Sequence, residues 1–111
     1  MFRVYNDSVR LVELLQPLVE KLRGHSAKLA TQLDGARISV PLNVAEGNRR
    51  RGGHRRERFE TAMGSARECA AALDVAIAAR FATREECAAA LDVADKVVAT
   101  LWCCLHGRKQ R

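Results

Sequence analysis

The feature that most narrows what this chain can fold into is the spacing of apolar residues near its C-terminus. Cys87, Leu91, Ala94, Val98, Leu101 and Leu105 recur every three or four residues, with Val97 and Trp102 flanking that seam. A strand needs a period of two, so this pattern belongs to a helix packed against other helices. Thr83-x-x-Glu86 opens the segment as a capping box and Gly107 closes it, ahead of a basic tail, Arg108–Arg111.

The same rule accounts for most of the remaining chain. Leu11, Leu15, Leu18 and Leu22 form a first stripe, widened by Val12 and Val19. Asn6-Asp7-Ser8 offers three consecutive N-cap residues and predicts the helix start there. Pro17 removes a backbone donor and crowds the carbonyl of Glu13, which predicts a kink or a restarted helix. Gly24, after Lys21 and Arg23, predicts the end, and Ser26 is placed to cap a second helix.

Leu29, Leu33, Ala36 and Val40 define that second helix, and Asn43 continues its seam beside Val44. An asparagine there reads as a register device. Pro41 should bend or interrupt the helix, Ser39 can help satisfy the backbone groups it frees, and Gly47 is the expected stop. After a loop from Asn48 to Gly53, a third helix is expected from about His54. Phe59, Ala62, Ala66, Cys69, Leu73 and Ala76 make its stripe, with Ile77 alongside. Gly64-Ser65 in its middle predicts close approach of a neighbouring helix, and Arg80-Phe81-Ala82 makes the turn. The octet CAAALDVA occurs at Cys69–Ala76 and again at Cys87–Ala94, five helical turns apart, so both copies present the same face.

Four helices with short connections predict an all-α, antiparallel up-down-up-down four-helix bundle, one domain across residues 1–111. Composition agrees: 48% of residues are apolar but only 5% aromatic, so alanine and leucine carry the core. Alanine stripes allow close helix spacing while burying little area, which favours association with further copies. No apolar run approaches the length of a membrane span, and the start MFRVYNDSVR lacks a signal-peptide core. A cytoplasmic protein without a membrane partner is the expectation.

Catalytic and metal chemistry finds little support. A di-metal bundle needs Glu-x-x-His pairs, but Leu22, Arg51 and Cys103 stand three residues before His25, His54 and His106. Cys103-x-x-His106 is half a zinc site with no second ligand pair. Gly64-Ser65 lacks the strand and the following glycine of a nucleophile elbow, and no phosphate-binding GxxxxGK[ST] loop is present. Asp34, Asp74, Asp92 and Asp95 fall at polar helical positions and read as solvated. Cys69, Cys87, Cys103 and Cys104 read as small core hydrophobes in a reducing compartment. Neither a catalytic residue, a metal ligand nor a cofactor is expected.

Charge is where the sequence points to a function. Residues 1–46 carry six Lys/Arg against five Asp/Glu, and residues 59–111 carry seven against seven. The window 47–58 carries six arginines against Glu57 alone, and so holds five of the six net positive charges. Arg49, Arg50, Arg51, His54, Arg55, Arg56 and Arg58 are therefore the candidate polyanion-binding residues, with Gly52-Gly53 opening a helix N-terminus among them. No aromatic interleaves these arginines in the sequence, so backbone phosphate contact is expected, without base stacking or sequence readout. The competing reading is a basic loop that pairs with acidic residues of a neighbouring subunit.

The motif QLDGARISVPLNVAEGNRRR, followed by AMGSARECAAALDVA, resembles that of the small four-helix bundle proteins encoded in intervening sequences of bacterial 23S rRNA genes. Their pattern is of the type Q-x-x-R-A-x-x-S-I-P-x-N-I-A-E-G, a basic loop, then A-x-G-S-x-x-E. Gln32, Ala36, Ser39, Val40, Pro41, Asn43, Val44, Ala45, Glu46, Gly47, Ala62, Gly64, Ser65 and Glu68 fit it. Gly35 stands in place of the usual arginine, Arg58 stands where an aromatic is common, and the first helix lacks a tryptophan-containing start. The resemblance implies a bundle assembled as a ring, commonly a homopentamer, with no established enzyme activity. The family is similar to the accessory variability proteins of diversity-generating retroelements, which implies nucleic acid (RNA or DNA) and a reverse transcriptase as partners.

Overall fold

The computed structural model describes residues 2–107, folded as four helices: α1 (Phe2–Arg23), α2 (Ala27–Asn48), α3 (Gly52–Ala78) and α4 (Arg84–His106). Each helix packs along its neighbours in sequence, and α1 closes the ring onto α4, giving an antiparallel four-helix bundle about 45 Å long. Among the described residues no helix is long and apolar enough to cross a membrane. The basic tail Arg108–Arg111 lies outside the described residues.

The predicted stripes form the core. Leu11, Leu15, Leu18 and Leu22 of α1, Leu33, Ala36 and Val40 of α2, and the whole stripe from Phe59 to Ala76 of α3 are buried. In α4 the buried line is Cys87, Ala90, Ala94, Val97 and Leu101, while Leu91, Val98 and Leu105 lie half-buried beside it. Cys87, Ala94 and Leu101 belong to both lines, so the inward face is rotated by less than half a residue, about 40°, from the expected seam. A helix that packs on both α1 and α3 buries a stripe wider than one heptad seam, and its centre depends on where those two neighbours lie.

Several boundaries differ from expectation. Helix α1 begins at Phe2, so Asn6, Asp7 and Ser8 lie inside it rather than capping it. The extra turn buries Val4, and the Ser8 hydroxyl, itself buried, donates to the Val4 carbonyl at 2.7 Å. Apolar burial plus that local bond outweighs a cap preference of about 1 kcal/mol. Pro17 lies on the exposed side of an unbroken helix. There the carbonyl of Glu13, also exposed, can turn to water. Pro41 is buried, and α2 is likewise continuous through it.

Other boundaries match. Gly24 follows the last residue of α1, and Ser26 caps α2 by accepting from the Leu29 amide at 3.1 Å. Thr83 and Glu86 form the reciprocal capping box at the start of α4, and Gly107 is its C-cap. Helix α3 starts at Gly52, slightly before His54, with Gly52 at a φ of +57° that favours glycine.

Gly47 does not stop α2 through backbone freedom. The helix continues to Asn48, and Gly47 is buried against the Phe59 ring, into which an added Cβ would run. Gly64, by contrast, faces open space, so close helix approach does not explain it; the neighbouring Ser65 makes the inter-helix contact instead. Of the cysteines, Cys69 and Cys87 are buried and free, and burial pushes the Cys69 thiol up to about 12 and that of Cys87 above its ordinary value. Cys103 and Cys104 are exposed, contrary to the reading of all four as core residues. Leu101 takes the inward face there, and Cys103, two positions on, points well away from it.

Candidate nucleic-acid interface

The short connection between α2 and α3 brings the arginine window to one end of the bundle, beside the C-terminal end of α4. Its seven candidate residues have different surroundings. Arg49, Arg51 and His54 are exposed and make no side-chain hydrogen bond or ion pair among the described residues. Arg50 is bound by Glu46 one turn back on α2. That hydrogen bond, the Arg50 charge behind it, and the more distant charges of Arg49 and Arg58 hold the Glu46 carboxyl below its ordinary range.

Further along α3, three arginines are held by the bundle. The Arg55 guanidinium lies 4.5 Å from the centre of the Phe59 ring, a cation–π contact over a fully buried aromatic. Arg56 donates to the Leu105 carbonyl at 3.0 Å and approaches Glu60 at 3.5 Å. It thereby satisfies one of the open carbonyls in the last turn of α4, where the helix dipole also favours a cation. Arg58 donates to Asn43 Oδ1 at 3.2 Å.

The Arg58 contact ends a polar chain that crosses between α2 and α3. Ser65 Oγ donates to Ser39 Oγ at 2.8 Å, and Asn43 Nδ2 donates to Ser39 Oγ at 3.0 Å and to the Ser39 carbonyl at 2.9 Å. The Ser39 hydroxyl therefore serves the inter-helix network, while its carbonyl accepts from the Asn43 side chain of the same helix. Asn43 is half-buried on the seam and bonds Ser39 of its own helix, so it joins the inter-helix network through that serine. Its second duty, orienting Arg58, has no signal in the sequence because the partners are 15 residues apart on different helices.

Two more features were not anticipated, although Trp102 with His106 and Asp34 with Arg37 are spaced one helical turn apart. At this end, Trp102 is 48% exposed and stacks on His106, with ring centres 4.3 Å apart and planes 23° apart. Arg37, only 7% exposed, lies outside the basic window and serves the fold. It pairs with Asp34 at 2.7 Å and donates to the Val12 carbonyl at 2.9 Å, fastening α2 to α1. Asp34 also approaches Arg23 at 3.6 Å, so it is a pairing residue rather than a solvated one.

Among the described residues no group of three or more His, Cys, Asp or Glu side chains could hold a metal ion. What the site offers is a cluster of cations, some fixed by helix contacts and some open to a ligand.

Fold and motif together define a small basic helical bundle built around a polar inter-helix network. The profile of the 23S rRNA-intervening sequence protein family matches residues 1–102, and the chain belongs to that family. No curated protein matches it. The chain is similar to a crystal structure of a protein of unknown function from the S23 ribosomal protein family of Bacteroides thetaiotaomicron VPI-5482. The TM-score is 0.87 at 16% identity, over 94% of this chain and 99% of that one. At that identity the likeness concerns the fold.

Proposed function

We propose that this protein is a cytoplasmic, non-enzymatic, homo-oligomeric accessory protein that binds nucleic-acid phosphates through Arg49–Arg58. The observation that carries the proposal is the concentration of five of the six net positive charges in twelve residues at one end of the bundle, with Arg49, Arg51 and His54 left without a side-chain partner among the described residues. A basic segment kept only to pair within its own fold would have its charges matched; Arg49 and Arg51 make no ion pair among the described residues. Guanidinium forks suit phosphate oxygens, and the N-terminus of α3 adds backbone donors.

Self-association is supported by apolar side chains left on the outside: Leu42 is 64% exposed, Val75 53% and Ile38 42%, with Ile38 and Leu42 one turn apart on α2. The family resemblance makes a pentameric ring the assembly to test. The similarity to retroelement accessory proteins makes a reverse transcriptase a candidate partner.

A salt titration against structured RNA and duplex DNA tests the binding. If all five excess charges engage phosphates, log K falls with log[salt] at a slope of about −3.5 to −4.5. Changing Arg49, Arg50 and Arg51 together to alanine should flatten that slope by about 2–3. Unchanged affinity in the triple variant would sink the proposal. The second reading is a structural oligomer whose arginines pair with acidic residues of a neighbouring subunit. It predicts instead that the triple variant loses mass by light scattering and that the wild type shows no salt-sensitive binding.

A further inference from the structure

The sequence separates the arginine window from any aromatic, but the fold does not. Arg56 is bonded to the carbonyl of Leu105, three residues, or about 4.5 Å of helix rise, beyond Trp102. The Trp102–His106 stack therefore lies on the same end of the bundle as the arginines. Beside it, Trp102 forms part of the wall of an open groove of about 470 Å³ between α3 and α4, a volume in the range of small-ligand sites. Its lining includes buried Ala66 and Ala94, half-buried Ala70 and Val98, and the exposed charged residues Arg67 and Asp95.

We infer that Trp102 is a stacking platform for an unpaired nucleobase, so that the ligand class is single-stranded or locally unpaired nucleic acid. Its phosphates would follow the Arg49–Arg58 segment, and one base would enter the α3–α4 groove. This rests on the phosphate-binding reading above and goes beyond it by naming the kind of nucleic acid.

The charge distribution argues for that division of labour. Arg67 and Asp95 offset one another at the groove, so a phosphate gains no excess positive charge there, unlike along the arginine segment. A flat ring with polar edges suits the groove better. It can lie against indole and alanine surface while Asp95 accepts from an exocyclic amino group and Arg67 donates to a ring acceptor. A paired base in a duplex has its faces covered by its neighbours and cannot use the indole. The stack on His106 limits the ring's freedom, which lowers the cost of ordering it on binding.

Trp102 is the only tryptophan in the chain, so its emission reports this site directly. The test uses a mixed-sequence single-stranded RNA 12-mer, its blunt duplex, and inorganic polyphosphate as a polyanion without bases. Each is titrated at several salt concentrations, with indole emission and the anisotropy of a labelled strand as readouts. Single strand should quench the indole, while duplex and polyphosphate should bind without doing so. Trp102→Ala should weaken single-strand binding about 5- to 150-fold with duplex affinity and salt slope unchanged, and Trp102→Phe should recover most of the loss.

If single strand binds with indole emission unmoved and Trp102→Ala binds as well as wild type, the inference is overturned while phosphate binding stands. If no polyanion binds in a salt-sensitive way, both readings fall. If Trp102→Ala lowers the assembled mass by light scattering without selectively weakening the single strand, the indole is a subunit contact and the inference is overturned.

Discussion

The two ends of this bundle are built from the same helices but treat charge in opposite ways. At the end formed by the α1–α2 and α3–α4 turns, His25 stacks on Phe81 with ring centres 5.0 Å apart, and Lys21 meets Glu86 at 2.7 Å. Glu86 also accepts from the Thr83 amide, so one carboxylate completes both a cap and a cross-bundle tie. At the other end, six arginines face Glu57 within one window, and only some of them are held. The first end ties Lys21 to Glu86 across the bundle and closes the fold. The second accumulates charge above a solid support, which is the arrangement of a surface that meets something else. Mutual repulsion among the arginines is tolerated because the helices beneath are fixed by apolar contact and by the Ser65–Ser39–Asn43 network.

That contrast can be broken by substitution. The largest effect should come from beneath the basic end. Phe59 is fully buried, packed on Gly47 and covered by Arg55. Phe59→Ala should lower stability by about 3–5 kcal/mol in chemical denaturation, whereas the triple arginine variant, lying on the surface, should stay within about 0.5 kcal/mol of wild type. Comparable losses in the two would mean that the arginines belong to the fold and not to a ligand.

A smaller effect, of opposite sign, is expected at the closed end. Arg80 adopts a left-handed φ of 65° where α3 ends, with its amide on the Ile77 carbonyl and the Phe81 amide on that of Ala76. Glycine takes that conformation without strain, so Arg80→Gly should raise stability by about 0.5–1 kcal/mol in the same assay. A loss would show that the arginine side chain does more than occupy the turn.

The smallest effect concerns pH. The hydrogen bond from Lys21, with help from the Thr83 amide, lowers the folded-state pKa of Glu86. A carboxylate held low in the folded state stabilises fully above the ordinary glutamate value of about 4.3, and that contribution disappears as pH falls through the depressed value. Because the pair is exposed, the contribution is small and screened by salt. Thermal unfolding between pH 6 and pH 3 should therefore show Lys21→Ala losing slightly less stability on acidification than wild type. An equal loss in both would remove Lys21 from the account of that end.

Helix number, order, most core positions and the caps at Ser26, Thr83 and Gly107 were legible in the sequence, because they depend on residues within a turn or two of one another. The charge concentration was legible for the same reason. Signals that compete with packing were misleading. Asn6-Asp7-Ser8 promised a cap where burial of Val4 extends the helix instead, and of the kink or break that Pro17 and Pro41 each predicted, the break is absent from helices that run on. Gly47 looked like a stop and is a space for the Phe59 ring.

Spacing along the chain says which face of each helix turns inward, since the helical period is local and nearly constant. It cannot say which residues from different helices meet. Arg56 reaches Leu105 across 49 positions, and Lys21 reaches Glu86 across 65. Those meetings depend on how far each helix extends and how it is rotated against its neighbours. The rotation of α4 that centres Val97 inward and leaves Trp102 exposed is such a choice. It arises from the competing demands of α1 and α3, and it brings an indole to the arginine end of the bundle.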